Sequence, residues 1–411
     1  MAENDIYGSK ERYVQLVERL VNFTKKPRKG KYYCKNYENL KYFQVMISYF
    51  NLKDLSYIRR RKVFQVMRFI TFILEKDLAE CTRENINDLV SYSHTVYKTV
   101  HSKKDFIKDL KSIWCIILPE KDHYGRVDET LIPYTVRHVS GTVDKSKEKL
   151  RNDRITYEEF KKIITFFSGN STLQAYLTLV FESLGRPQEI LYTKIKDYEF
   201  YDSYAKVWIS EHGKEGTGFL QCIDSYPYIA QWYREHPFRQ NPQTYFFLSK
   251  SNNGKYTQLK NSAINFRLRQ ACKHLGIQKQ VTCYSLKRND ITYRRLRGDS
   301  DMQIQHAARW TSTKQLKIYD MSTQQDALQI ELERRGIQDT KPVHEEWKPK
   351  VCGFCGCDNG FTAELCVTCK RPLDRKKLQD MAEAHERFMN SEMMQKFDQM
   401  EKMIQKMVKK S

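Results

Sequence analysis

Between about residues 10 and 120 apolar positions recur at helical spacing, as in ENLKYFQVMISYF, RRRKVFQVMRFITFIL and KKDFIKDLKSIWCIIL, with basic residues on the other faces. This predicts an all-α module over residues 1–140. The pattern fades across 134–153, YTVRHVSGTVDKSKEKLRND, which reads as a linker. A new start follows in DRITYEEFKKIITFF, where Thr156 is placed to cap a helix and Glu159 to complete a capping box. STLQAYLTLVFESLG is apolar nearly all round and should be a central helix. In 204–224 the period changes to two on either side of HGKEGTG, the signature of a β-hairpin with a glycine-rich basic tip. Helical spacing broken by glycines then continues to about 335, and GIQDTKPVHEEWKPK reads as a second linker. The expected fold is mainly α with a small β-hairpin or sheet: a helical module at 1–140, an α+β domain at 154–338, a cysteine-rich module at 348–373 and a helix at 374–411. No internal repeat is visible.

Composition narrows the partners. The 411 residues carry 71 Lys plus Arg against 50 Asp plus Glu, and the resulting +21 is spread along the length. So large an excess of one sign points to a polyanion, a nucleic acid first of all. The opening MAENDIYGSKER is charged from its third residue and no apolar run reaches bilayer length, so a cytoplasmic protein without a membrane partner is expected. Six of the eleven cysteines are dispersed as core thiols would be in a reducing compartment, and five crowd into residues 352–369.

Four stretches offer chemistry. In ESLGRPQEI a helix stops at Gly185, Pro187 suits the first turn of the next, and Arg186 falls at the junction with Glu189 one turn on. That arginine either points its fork at a ligand or forms a structural pair with Glu189. Lys214 lies in the hairpin tip, where glycines allow close approach and an ammonium can reach a phosphate, although tip lysines are commonly just solvated. VTCYSLKRNDITYRRLRGDSDMQIQHAARW is dense in cations, beginning with Lys287 and Arg288, and would at minimum hold DNA phosphates. Finally Tyr319 follows Trp310 by nine residues, with Leu316 and Ile318 expected to anchor its turn on a core.

In this order, Arg186, hairpin Lys214, a basic Tyr-x-x-Lys-Arg turn, Trp310 and Tyr319 resemble the tyrosine recombinases, the integrase family that cuts and rejoins DNA through a phosphotyrosine. The match spans roughly 154–330, and the module before it resembles that family's core-binding domain. The resemblance implies that Arg186 is the first catalytic arginine, Lys214 the hairpin lysine, Trp310 the residue at the His/Trp position and Tyr319 the nucleophile. It also implies double-stranded DNA as substrate, catalysis without metal or ATP, association with the nucleoid and protomers that assemble as a tetramer. The chemistry asks for such residues, because guanidinium forks stabilise the charge gathering on the non-bridging oxygens of an attacked phosphodiester. One element departs. Where the family has His-x-x-Arg this chain reads Tyr284-Ser285-Leu286-Lys287. Register puts Tyr284 at the histidine and Lys287 at the second arginine; one residue on, Ser285 and Arg288 would fill those places, and only Arg288 offers a two-pronged contact. Archaeal integrases vary at this motif, which suggests a member of that type. The other reading is a DNA-binding regulator that kept the scaffold and lost cleavage.

CGFCGCDNGFTAELCVTCKRPL sets Cys352-x-x-Cys355 and Cys366-x-x-Cys369 ten residues apart, the spacing of a four-thiolate zinc ribbon, with Cys357 as a spare thiol. Four thiolates leave the metal no open position, so this zinc would be structural and the ribbon would bind DNA or protein. Some archaeal integrases resemble the chain in carrying such a ribbon. Beyond it, Met393, Phe397, Met400, Ile404 and Met407 form a 4-3-4-3 seam, suited to a helix packed on its own chain or on a neighbour.

Overall fold

The computed structural model describes residues 8–26, 30–142, 153–209, 217–337 and 348–374, with scattered positions beyond. They fall into two compact units, one before and one after residue 151. None of the described helices is long and apolar enough to cross a membrane.

The first unit is helical: α1 (Ser9–Glu18), α2 (Leu40–Leu52), α3 (Tyr57–Ile73), α4 (Arg83–Val96), α5 (Val100–Ile117) and the single turn α6 (Tyr134–Arg137). Along α3 the residues Val63, Phe64, Met67 and Ile70 recur at helical spacing and are buried. Phe64 sits among the rings of Tyr13, Phe23, Phe43 and Phe50, with centroids 5.3 to 5.8 Å away. On the flank of the same helix Arg59 and Lys62 hold the buried Asp109 at 2.6 and 3.2 Å. The stretch expected to be linker from 134 starts later, because Val136 and Val139 are buried in this core.

The second unit starts with α7 (Tyr157–Phe166), whose Thr156–Glu159 capping box forms as the sequence predicts. Next, α8 (Ser171–Glu182) is the central helix, with every residue from Leu173 to Phe181 buried. It leads into the short α9 (Pro187–Leu191) and an antiparallel sheet of β1 (Tyr198–Phe200), β2 (Ala205–Ile209) and β3 (Gly218–Cys222). Val207 pairs with Leu220, both fully buried, and this fixes the hairpin's register. Its tip, including Lys214, lies outside the described residues. After α10 (Tyr226–Glu235) comes a second antiparallel pair, β4 (Leu248–Lys250) with β5 (Tyr256–Gln258), in a stretch that the sequence pattern gave to helices. The helices α11 (Asn261–His274), α12 (Cys283–Leu296), α13 (Asp301–Ala307), α14 (Leu316–Tyr319) and α15 (Gln324–Arg334) complete the domain.

The cysteine-rich module adds β6 (Lys350–Val351) and β7 (Asp358–Asn359) and is packed on this unit. Phe361 is buried in the main core, 5.5 Å from the Tyr228 ring. A Cβ on Gly360 would stand 2.3 Å from Tyr228 Cζ, so only glycine lets the tyrosine ring lie this close to the backbone. Of the expected C-terminal seam, Met393, Phe397, Ile404 and Met407 lie outside the described residues.

Candidate active site

Arg186 is delivered by a tight corner. Leu184 adopts a left-handed conformation (φ 53°) with its side chain fully buried, and Gly185 is so enclosed that a Cβ would meet Leu220 Cδ1 at 2.7 Å. Pro187 opens α9, and the Tyr176 hydroxyl donates to its carbonyl at 3.0 Å. With the backbone so held, the nearly buried Arg186 side chain has one direction to take. Its Nη1 donates to the Tyr284 hydroxyl at 3.1 Å, and its Nε lies 3.7 Å from Glu189 Oε1.

Tyr284 stands in the first turn of α12, whose start is fixed by the Thr282–Ser285 capping box. That box occupies Ser285, which donates to the Thr282 carbonyl at 2.7 Å. Lys287 is completely buried, with Nζ 5.7 Å from the Trp310 ring centre and 5.6 Å from that of Tyr319. Arg288, one residue on, points elsewhere and pairs with Asp153.

Tyr319 ends α14, and its turn is fastened from both sides. Leu316 is buried, and after the turn Met321 N–H donates to Thr292 Oγ1 at 3.0 Å while Asp320 pairs with Arg295 at 3.3 Å. Ile318, expected as a second anchor, is 58% exposed instead, since a single helical turn presents only one of the two to the core. The Tyr319 ring packs 5.3 Å from that of Trp310. Its hydroxyl lies 3.1 Å from the Tyr284 hydroxyl. Trp310 Nε1 is buried and has no hydrogen-bond partner among the described residues. Arg186, Tyr284, Lys287, Trp310 and Tyr319 therefore meet in one place, brought there by four separate elements of one unit.

Residues 153–338 match the model of the phage integrase family. These residues form a phage integrase domain. Solved structures similar in fold include XerH site-specific recombinase bound to palindromic difH substrate in a post-cleavage complex, with 13% identity, TM-score 0.53, and 82% of this chain and 96% of that one covered. A lambda integrase(75–356) dimer bound to a COC′ core site gives 16% identity and a TM-score of 0.51 over 68% and 92%. The Tn1549 transposon integrase in complex with transposon right end DNA gives 11% and 0.53 over 72% and 99%. No curated protein matches the chain in sequence.

The phage integrase domain contains one residue at this site that the sequence reading passed over. Arg309 has φ 58° and donates from Nη2 to Glu189 Oε2 at 2.7 Å, with only 7% of its side chain exposed. The available signal was an arginine at the end of a helix, where glycine is the usual stop.

Beside the integrase domain, Cys352, Cys355, Cys366 and Cys369 place their sulfurs within 4.8 Å of one another. The pairs Cys352–Cys369 and Cys355–Cys366 are 3.6 and 3.5 Å apart. A tetrahedral ion with ~2.3 Å bonds to sulfur sets its ligands roughly 3.8 Å apart, so the four thiols fit a metal ion. Burial opposes ionisation of Cys366, but the N–H groups of Cys369 and Thr368 outweigh it and bring the thiol down to about 6. Cys357 stands outside the set and receives a hydrogen bond from Thr368 Oγ1.

In the helical unit, Arg12, Arg19, Lys25, Lys26, Arg61 and Arg68 line a groove of about 830 Å³. Among the described residues no acid lines it, and Arg61 Nε and Arg68 Nε are buried without a partner there. Such a groove suits a phosphate backbone.

Proposed function

We propose that this protein is a site-specific DNA recombinase that cleaves and rejoins strands through a covalent phosphotyrosine. The observation that carries the reading is the hydroxyl of Tyr319 joined through Tyr284 to the guanidinium of Arg186, inside a phage integrase domain. Tyr319 Oη attacks phosphorus, the bond to the 5′ oxygen breaks, and the 3′ end stays on the enzyme. The energy of the broken bond is kept in the new ester, so resealing needs no nucleotide. As the phenol adds, charge grows on the non-bridging oxygens, where the Arg186 fork and the buried Trp310 N–H donate. Lys287, beneath the rings of Trp310 and Tyr319, contributes a buried positive charge at the place of the second arginine. Lys214 on the hairpin protonates the leaving oxygen.

Duplex DNA is the proposed partner, supported by the +21 charge and the cation-lined groove of the helical unit. Four thiolates are the donor set of structural zinc, which would hold the ribbon at Cys352, Cys355, Cys366 and Cys369. Incubation with a nicked suicide duplex tests the cleavage reading. The wild-type protein is expected to form a covalent adduct that is absent in Tyr319→Phe while DNA binding persists. DNA binding by the wild type without any adduct would instead establish the regulator, the reading that Lys287 in place of an arginine favours.

A further inference from the structure

The outer face of the three-stranded sheet carries rings that no core uses. Strand alternation sends Val207 and Leu220 inward and leaves Lys206 and Trp208 of β2, with Phe219 and Gln221 of β3, on the other face. Trp208 and Phe219 are direct cross-strand partners, 43% and 39% exposed, with ring centres 5.6 Å apart. At the turn between β1 and β2, Tyr201 and Tyr204 are similarly exposed and stack on each other at 4.4 Å. Lys206 joins the two pairs, its Nζ 5.3 Å from the centres of both the Tyr201 and the Phe219 rings. Four rings and one ammonium thus form a row.

Singly exposed rings are ordinary, whereas a contiguous row marks a surface that meets a partner. The charge says which kind. No carboxylate pairs with Lys206 among the described residues: Glu199, opposite it on β1, accepts from the Tyr201 hydroxyl at 3.2 Å instead. An apolar protein face laid over the row would bury that ammonium unpaired, whereas a phosphate would answer it. Phe219 and Gln221 also line a cleft of about 660 Å³ with Arg297, His306 and Arg309, so basic side chains border the row. Rings interleaved with cations are how proteins hold single strands, stacking on the bases while the charges follow the backbone. A duplex keeps its base faces inside and would leave the rings unused.

Resting on the cleavage reading, we infer that this row holds unpaired DNA, the strand whose 5′ end is released when Tyr319 attacks and which must leave its complement before it is rejoined elsewhere. Trp208 and Phe219 stack on its bases, and Lys206 meets one of its phosphates. No bond is made or broken at the row. The strands that present it, β2 and β3, are also those that flank Lys214 in the sequence.

The test titrates the full chain with a fluorescent oligothymidine and with an abasic oligomer of the same length, which keeps the phosphates and lacks the bases. The wild type is expected to bind oligothymidine about tenfold more tightly. Trp208→Leu, which stays apolar but offers no ring, is expected to remove that preference and Trp208→Phe to keep most of it, with duplex affinity unchanged in both. Phe219→Leu is expected to act in the same direction and serves should Trp208→Leu melt below the wild type. Lys206→Gln is expected to weaken both oligomers and to lower the salt slope of oligothymidine binding by about 0.7, the share of one phosphate. Equal wild-type affinity for the two oligomers, or a preference that survives Trp208→Leu, overturns the inference. A Trp208→Leu chain that keeps oligothymidine binding but loses self-association in sedimentation also overturns it, and assigns the row to a neighbouring copy. The nicked suicide duplex is read separately: Trp208→Leu should form the covalent adduct at the wild-type rate and yield less exchanged product. A wild type that forms no adduct ends the cleavage reading, and with it the source of the strand, whatever the oligomers show.

Discussion

Between Arg186 and Tyr319 stands the hydroxyl of Tyr284, 3.1 Å from each. It accepts from a permanently charged fork, so its own proton can turn toward Tyr319, the proposed nucleophile, or toward a bound phosphate. Tyr284→Phe keeps the ring and removes only this link. We expect adduct formation in single turnover to fall about 10²-fold with DNA affinity unchanged, as for loss of a positioned proton-transfer group. An unaltered rate would mean that the hydroxyl is a bystander. Much of this site was legible from residues alone. Arg186 is announced by the Gly185–Pro187 corner, and Trp310 and Tyr319 by their interval. The choice between Lys287 and Arg288 was not legible, because neighbours on a helix point about 100° apart and nothing local says which way α12 is turned. The capping box at Thr282 and the pairing of Arg288 with Asp153 set that rotation in the fold.

Among the elements, α15 shows how the integrase domain closes on itself. Arg154, next to the domain's start, makes a two-pronged pair with Asp326 in the first turn of α15, at 2.6 and 2.7 Å. The hydrogen bond from Arg154, outweighing burial, lowers the Asp326 carboxyl from 3.8 to about 2. A depressed carboxylate contributes stability above its ordinary pKa, and that stability is lost as pH falls from about 4 through 2. Asp326→Asn should therefore melt lower than wild type near pH 6, with the gap narrowing toward pH 3; a constant gap would assign the loss to packing. The ribbon is fastened differently, by the Gly360–Phe361 contact with Tyr228 and by a 2.6 Å hydrogen bond between the Tyr228 and Thr362 hydroxyls. Cys366→Ser is expected to reduce bound zinc below one per chain and to lower the melting temperature, since the ribbon holds Phe361 in the main core. Full zinc content in that variant would discard the four-thiolate assignment. Longer elements were readable from periodicity, whereas β4 and β5, three residues each, are too short for alternation to register. Their pairing is decided by the turn at Gly254 and by burial of Leu248.

At the scale of the whole molecule, the charge excess was visible in composition, but its concentration was not. Arg12 and Arg19 are far in sequence from Arg61 and Arg68, and packing of α1 on α3 gathers them on one groove. Sequence could count these cations but could not place them. The placement of Tyr319 bears on how several copies would share the work. Its hydroxyl reaches Tyr284 within the same polypeptide, so on the proposed reading each subunit would cut with its own tyrosine. A blend of Arg186→Ala and Tyr319→Phe subunits should consequently stay inert at every mixing ratio, judged by product DNA on a gel. Recovered cutting in such hybrids would show that tyrosines are traded between subunits.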